Sequence, residues 1–232
     1  MAKPGFPGLR KSTFKFIRKL AKNNNREWFK ENKERYIDDV VDPVCDFIEA
    51  MEPRLYAISE HFVADPRPHG GSMFRIYRDT RFTKDKRPYK EHVGCQFRHE
   101  AGKDAHAPGF YVHIAPGEIR FGGGIWMPPG DTLFQIRTAI TEKPEAWQRI
   151  ITDPKLIKRF GGISGDGLKR PPRGFGPDHS HLEDIMRKTW FVMQPCDENL
   201  ACSPAFITEV ERAFKAASPL LEFLTTAVKL PY

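Results

Sequence analysis

The chain has 232 residues, 40% of them hydrophobic and 12% aromatic, which excludes a disordered polyelectrolyte and is enough to bury a true core. No window approaches the roughly 18 apolar residues of a membrane span, and the opening MAKPGFPGLRKS lacks a signal-peptide run, so a cytoplasmic protein without a membrane partner is expected. Net charge is +7, concentrated in residues 73–90 (seven basic against two acidic side chains) and 155–173 (six against one). Two such segments attract phosphate, carboxylate or nucleic-acid backbone if they meet in space, and are ordinary solvated surface if they do not. The four cysteines form no CxxC and read as free thiols, with no positive support for a Cys196–Cys202 bridge.

In chain order, Pro4, Gly5, Pro7 and Gly8 make an opening loop, and Ser12 caps a helix over 12–22 carrying Phe14, Ile17 and Ala21. Asn24 with Glu27 reads as a capping box for a helix over 25–41. Asp42-Pro43 reads as a restart for 43–59, with a further kink at Pro53. The pattern then changes from threes and fours to alternation. Met73–Tyr77, Val93–His99, Gly109–Ile114, Glu118–Ile125 and Thr189–Met193 read as strands, with Pro116-Gly117 as a hairpin turn. Gly122-Gly123-Gly124 is not a nucleotide fingerprint; it marks a bulge or the close approach of another backbone. Asp131 caps a helix over 133–141, Pro144 and Pro154 begin two more, residues 161–181 form a Gly- and Pro-rich loop, and Ser203-Pro204 opens a last amphipathic helix. The expected class is α+β: one domain over 1–232, its central, mostly antiparallel sheet of about five strands packed by helices from both ends of the chain. Its parts are a helical region 12–60, a sheet core 72–126 plus 189–193, and helices within 131–160 and 203–228.

Chemistry concentrates in F74-R-I-Y-R-D-T-R-F-T-K-D-K-R-P-Y-K90. Strand alternation puts Phe74 and Ile76 in the core and sends Met73, Arg75, Tyr77, Asp79 and, if the extension runs on, Arg81 to the other face. Arg forks bind phosphate or carboxylate bidentately, Lys binds as a point charge, and Tyr stacks or donates its hydroxyl. The anion-binding set is therefore Arg75, Arg78, Arg81, Lys86, Tyr89 and Lys90, with Lys169, Arg170 and Arg173 on a second, proline-stiffened loop. Asp79 either orients an arginine or acts as a base; the competing reading is an Arg–Asp network that is purely structural. His113, in the strand Tyr111–Ile114, is the other proton-transfer candidate. His179 and His181 with Asp178 and Glu183 lack a second cluster at zinc spacing, so no metal is assigned. No GxSxG, P-loop or GxGxxG is present, and the cofactor stays open. Trp28, Phe29, Trp126 and Trp190 read as core.

These residues resemble a family of conserved hypothetical proteins, a domain of unknown function seen in bacteria and fungi, marked by F-R-x-x-R-D-x-R-F-x-x-D-K-x-P-Y-K. The match runs through Phe74, Arg75, Arg78, Asp79, Arg81, Phe82, Asp85, Lys86, Pro88, Tyr89 and Lys90. Residues 23–29, 109–114, 122–126 and 168–175 resemble its other blocks. The resemblance implies membership and no activity, cofactor or catalytic residue. From the residues themselves, an anionic, phosphate-bearing small molecule is the favoured partner. A nucleic-acid-binding module and a scaffold protein stand as alternatives, and the oligomeric state is open.

Overall fold

The computed structural model of the protein describes residues 5–102 and 106–232; Pro4 of the opening loop lies outside them. Four antiparallel strands, β1 (Val93–Arg98), β2 (Gly109–Ala115), β3 (Glu118–Ile125) and β4 (Trp190–Cys196), lie side by side in chain order. The tight return at Pro116-Gly117, with Gly117 at φ 75°, pairs Ala115 with Glu118 and thereby sets the β2–β3 register. The helices are α1 (Lys11–Lys22), α2 (Arg26–Glu31), α3 (Lys33–Tyr36), α4 (Asp42–Tyr56), α5 (Gly130–Glu142), α6 (Pro144–Ile151), α7 (Pro154–Phe160), α8 (Leu182–Ile185), α9 (Glu198–Ala201) and α10 (Ala205–Ala227). Among the described residues no helix is long and apolar enough to cross a membrane, and no group of three His, Cys, Asp or Glu is placed to hold a metal. All four cysteines are free.

The fold is α+β, as expected, with one strand fewer. Met73–Tyr77 is extended but divides its hydrogen bonds between two partners. Phe74 N–H donates to the Gly94 carbonyl and Gln96 N–H to that of Ser72, along the outer edge of β1; two residues later the chain pairs with its own return, Lys90 N–H to Ile76 and Arg78 N–H to Pro88. The two buried side chains here are Met73 and Ile76, three apart, so the segment twists between partners and neither ladder reaches strand length. Strict alternation therefore misplaces Met73, which is in the core, and Phe74, which is only half-buried.

One face of the sheet is covered by α10. Phe110 stacks on Phe214 at 4.6 Å, Phe97 meets the same ring at 5.8 Å, and Phe121 meets Phe206 at 5.9 Å. The glycine run at the end of β3 is explained from both sides. A Cβ at Gly122 or Gly124 would lie 1.9 Å or 2.2 Å from carbonyl oxygens of β4, and one at Gly123 would lie 2.8 Å from Leu221 of α10. Close backbone approach, one of the two expectations for this run, is what it provides.

The N-terminal helices depart from the expected breaks. Asp42-Pro43 does not restart a helix; a π-turn over Ile37–Val41 carries the chain straight into α4. Pro43 has no N–H for the carbonyl of Asp39 four residues earlier, and the buried hydroxyl of Thr13 donates to that carbonyl instead, at 2.6 Å. The cap of α2 is Asn25, whose side chain accepts from Trp28 N–H at 2.9 Å. Asn24, the expected cap, is used elsewhere. Ser12 and Asp131 lie inside their helices and cap neither. Trp190 is fully buried, but Trp126, just past the end of β3 and before Met127 at φ 42°, is 53% exposed.

Candidate functional site

Residues 75–90 form a hairpin that holds itself rigid. Its root is Tyr89, buried and stacked on Phe29 at 4.1 Å. Asn24 bridges to it like an added strand, donating to the Tyr89 carbonyl (3.0 Å) and accepting from Tyr89 N–H (3.1 Å). Two identical devices build the tip. Asp79 accepts the backbone N–H and the guanidinium of Arg81, and Asp85 accepts those of Arg87, so each carboxylate closes a turn on the residue two ahead. Arg78 crosses the hairpin to Asp85 at 2.7 Å, Arg87 continues to Glu91 at 2.5 Å, and Lys86 Nζ donates to the Thr80 carbonyl at 2.8 Å. The arginine beside it holds Asp79 down to about 2, and two arginines hold Asp85 lower still. A carboxylate committed to a guanidinium in this way is a poor general base at neutral pH.

The opposite face of the sheet, away from α10, is a trough of about 700 Å³. Three cross-strand rows lie on this face: Gly94–His113–Arg120–Pro195, Gln96–Tyr111–Gly122–Met193 and Arg98–Gly109–Gly124–Phe191. Glycine occupies four of these positions, which leaves backbone rather than side chains as floor. The end near β4 is apolar, with Trp126 against Phe191 at 5.4 Å and Met193 and Ile125 beside them. Phe74 closes the β1 side and Ser164 the β4 side.

Polar groups converge at the other end. His113 is 7% exposed and its Nδ1 lies 3.4 Å from the Tyr111 hydroxyl. Its ring stacks on His92 at 4.5 Å, and Arg120 stands directly across on β3, paired at 2.9 Å with Glu118. Burial first, then His92 and Arg120, depresses His113 to about 4; burial and Lys90 depress His92 as well. Tyr111 is pushed up to about 12, mainly by burial. At neutral pH the corner therefore holds neutral imidazoles and an intact phenol beside a permanent cation: groups able to donate hydrogen bonds, accept a proton and attract an anion.

Of the residues singled out from the sequence, His113 lies in the trough. Lys90 is not among the trough-lining residues; its Nζ lies 5.4 Å over the ring of Phe74, which is, and donates to the Arg75 carbonyl at 3.0 Å. Arg78 and Arg81 are turned to Asp85 and Asp79, Arg75 is exposed, and Tyr89 faces Phe29. Lys169, Arg170 and Arg173 are exposed and are not among the trough-lining residues. The two basic segments are rooted at opposite edges of the sheet: Ser72–Phe74 along β1, and Ser164, bridged to Phe191, along β4. Five strand spacings, about 24 Å, separate the roots. Arg120, Tyr111, His92 and Trp126 were missed. Arg120 had a signal: a two-residue turn at 116–117 places 113 opposite 120, so the face given to His113 is also that of Arg120.

Fold and site together define an α+β protein with one sheet face buried by a helix and the other open as a glycine-floored trough. The chain belongs to the family described as conserved hypothetical protein (DUF2461), which it matches over residues 12–223, a span that includes all four strands, the hairpin and the trough. No curated protein and no solved structure matches it.

Proposed function

We propose that the protein binds an anionic small molecule in the trough, its charged group at the Arg120–His113 end and its apolar body over the glycine floor toward Phe191 and Trp126. The observation that carries this reading is the trough itself. A concave site of about 700 Å³, mostly apolar and with a few polar groups gathered at one end, has the size and make-up of small-molecule sites generally. A phosphate or carboxylate suits the polar end. Arg120 offers a planar fork of which one arm is used by Glu118, and protonated His113 or His92 would add to the attraction. The motif's ion pairs support a narrower role for the hairpin: they stiffen it, and Lys90 packs over Phe74 on the β1 side of the trough.

A thermal-shift screen of sugar phosphates, nucleoside monophosphates and aromatic carboxylates tests the reading. A true ligand at a hundred times its Kd adds about 2.7 kcal/mol of stability. The shift should be lost in Arg120→Gln, which removes the cation, and in Met193→Trp, which fills the floor. Absence of any shift, or one that survives both substitutions, rejects it.

A further inference from the structure

The hairpin tip carries a feature that trough binding does not use. Phe82 is 92% exposed, the most exposed large hydrophobic side chain among the described residues. It is not on a slack loop. The turns closed by Asp79 and Asp85 flank it, Lys86 ties one side of the tip to the other, and Arg78 crosses beneath. The Arg81 guanidinium, held on Asp79 through Nε (3.0 Å) and Nη2 (2.7 Å), lies over the Phe82 ring at 5.4 Å. The tip is ordered by its own hydrogen bonds and ion pairs, and the ring itself gains no burial there, so it stands in water as a preformed stacking surface.

The surroundings of the ring identify a partner's chemistry. Thr80, Arg81, Thr83 and Lys84 flank it in sequence and none is apolar. A membrane anchor needs several apolar side chains to enter the acyl boundary, and a protein-binding hot spot sits at the centre of a broad packed patch, whereas this ring projects from a narrow hairpin tip. A lone aromatic among cations matches neither. It matches a nucleobase with a phosphate on each side, where a ring stacks on one base and nearby lysines meet the backbone. The tip from Arg78 to Pro88 carries Arg78, Arg81, Lys84, Lys86 and Arg87 against Asp79 and Asp85, and the chain as a whole is +7.

We propose that the tip of the 75–90 hairpin is a docking site for single-stranded nucleic acid, Phe82 stacking on one base while Lys84, Lys86 and Arg81 meet the adjoining phosphates. This site is separate from the trough, and neither reading depends on the other.

Fluorescence anisotropy of the full chain with labelled oligothymidylate and oligouridylate of about twelve nucleotides tests it, the two arms separating DNA from RNA. Contacts to about three phosphates predict that affinity falls roughly 10- to 20-fold between about 50 and 200 mM salt. Phe82→Ala should weaken binding about 5- to 150-fold, and Phe82→Trp should restore it, since stacking needs a ring and not this particular one. Lys84→Glu with Lys86→Glu should weaken binding and flatten the salt dependence. The side chain of Phe82 is nearly all in solvent, so the two Phe82 variants fold as the parent does; Lys86 also ties the tip to the Thr80 carbonyl, so the double lysine variant is read together with hydrogen exchange at the tip. No binding to either oligonucleotide at low salt overturns the proposal. So does binding that Phe82→Ala leaves unchanged, or Phe82-dependent binding to phosphatidylserine vesicles without oligonucleotide binding.

Discussion

The hairpin and the trough are opposite solutions to placing polar groups. The hairpin is crowded with charge, yet most of it is answered locally: Arg81 by Asp79, Arg87 by Asp85 and Glu91, Arg78 by Asp85. The trough contains little charge, and His113, Tyr111 and Arg120 lie in a hollow that glycines keep open. Charge density in a sequence therefore points to where a chain can stiffen itself as readily as to where it binds. Concavity and convergence mark the better binding site even where few charges lie.

The contrast can be broken from its strongest side first. Gly122→Ala puts a Cβ 1.9 Å from the Val192 carbonyl oxygen, and β4 must move to admit it. Urea unfolding should show a loss of roughly 3 kcal/mol or more, and a change under about 0.5 kcal/mol would mean the floor is not so tightly set. At the hairpin's root, Tyr89→Ala removes a buried ring stacked on Phe29 and should cost about 3 kcal/mol.

The next test separates the regions by pH. His113 is depressed to about 4 from an ordinary value near 6.5, so its neutral form is favoured in the folded state. Between these values the unfolded chain holds a proton that the folded chain does not. The contribution is then complete above about pH 6.5 and is lost as pH falls toward 4, amounting to on the order of 2–3 kcal/mol. His92, depressed as well, acts in the same sense. Denaturant titrations from pH 7 to 4 should show this loss in the parent and a shallower one in His113→Gln; equal slopes would remove His113 from the account.

The smallest effect belongs to the hairpin's charges. Arg78→Ala should cost about 1 kcal/mol, because its pair with Asp85 lies in a solvent-accessible setting. Hydrogen exchange should quicken at the tip and leave β1–β4 unchanged. Global unfolding of this variant would instead make the motif's ion pairs the keystone of the fold, the scaffold reading set out from the sequence.

How legible the molecule was depended on the range of the interaction. β2, β3 and their turn could be read almost to the residue, since two-residue alternation and Pro116-Gly117 are local properties of the backbone. The π-turn at 37–41 could not, because the group that satisfies the Asp39 carbonyl is Thr13, on another helix. The extended nature of 73–77 was also legible. Its division between β1 and the return at 88–90 was not, since Met73 and Ile76 are buried by partners that local alternation does not see. The exposure of Trp126 likewise depended on where the sheet ends.

By itself the sequence determined the α+β class, most strand positions, a glycine run that marks a bulge or a close approach, and the family. Those follow from backbone periodicity and residue chemistry, which act over a few residues. Only the tertiary structure decided that the two basic segments sit at opposite sheet edges, that Arg78, Arg81 and Arg87 face the motif's own aspartates, and that His92 stacks on His113. Which charges meet and where a surface is hollow depend on strand order, register and edge packing between segments distant in sequence, and no local pattern encodes those distances.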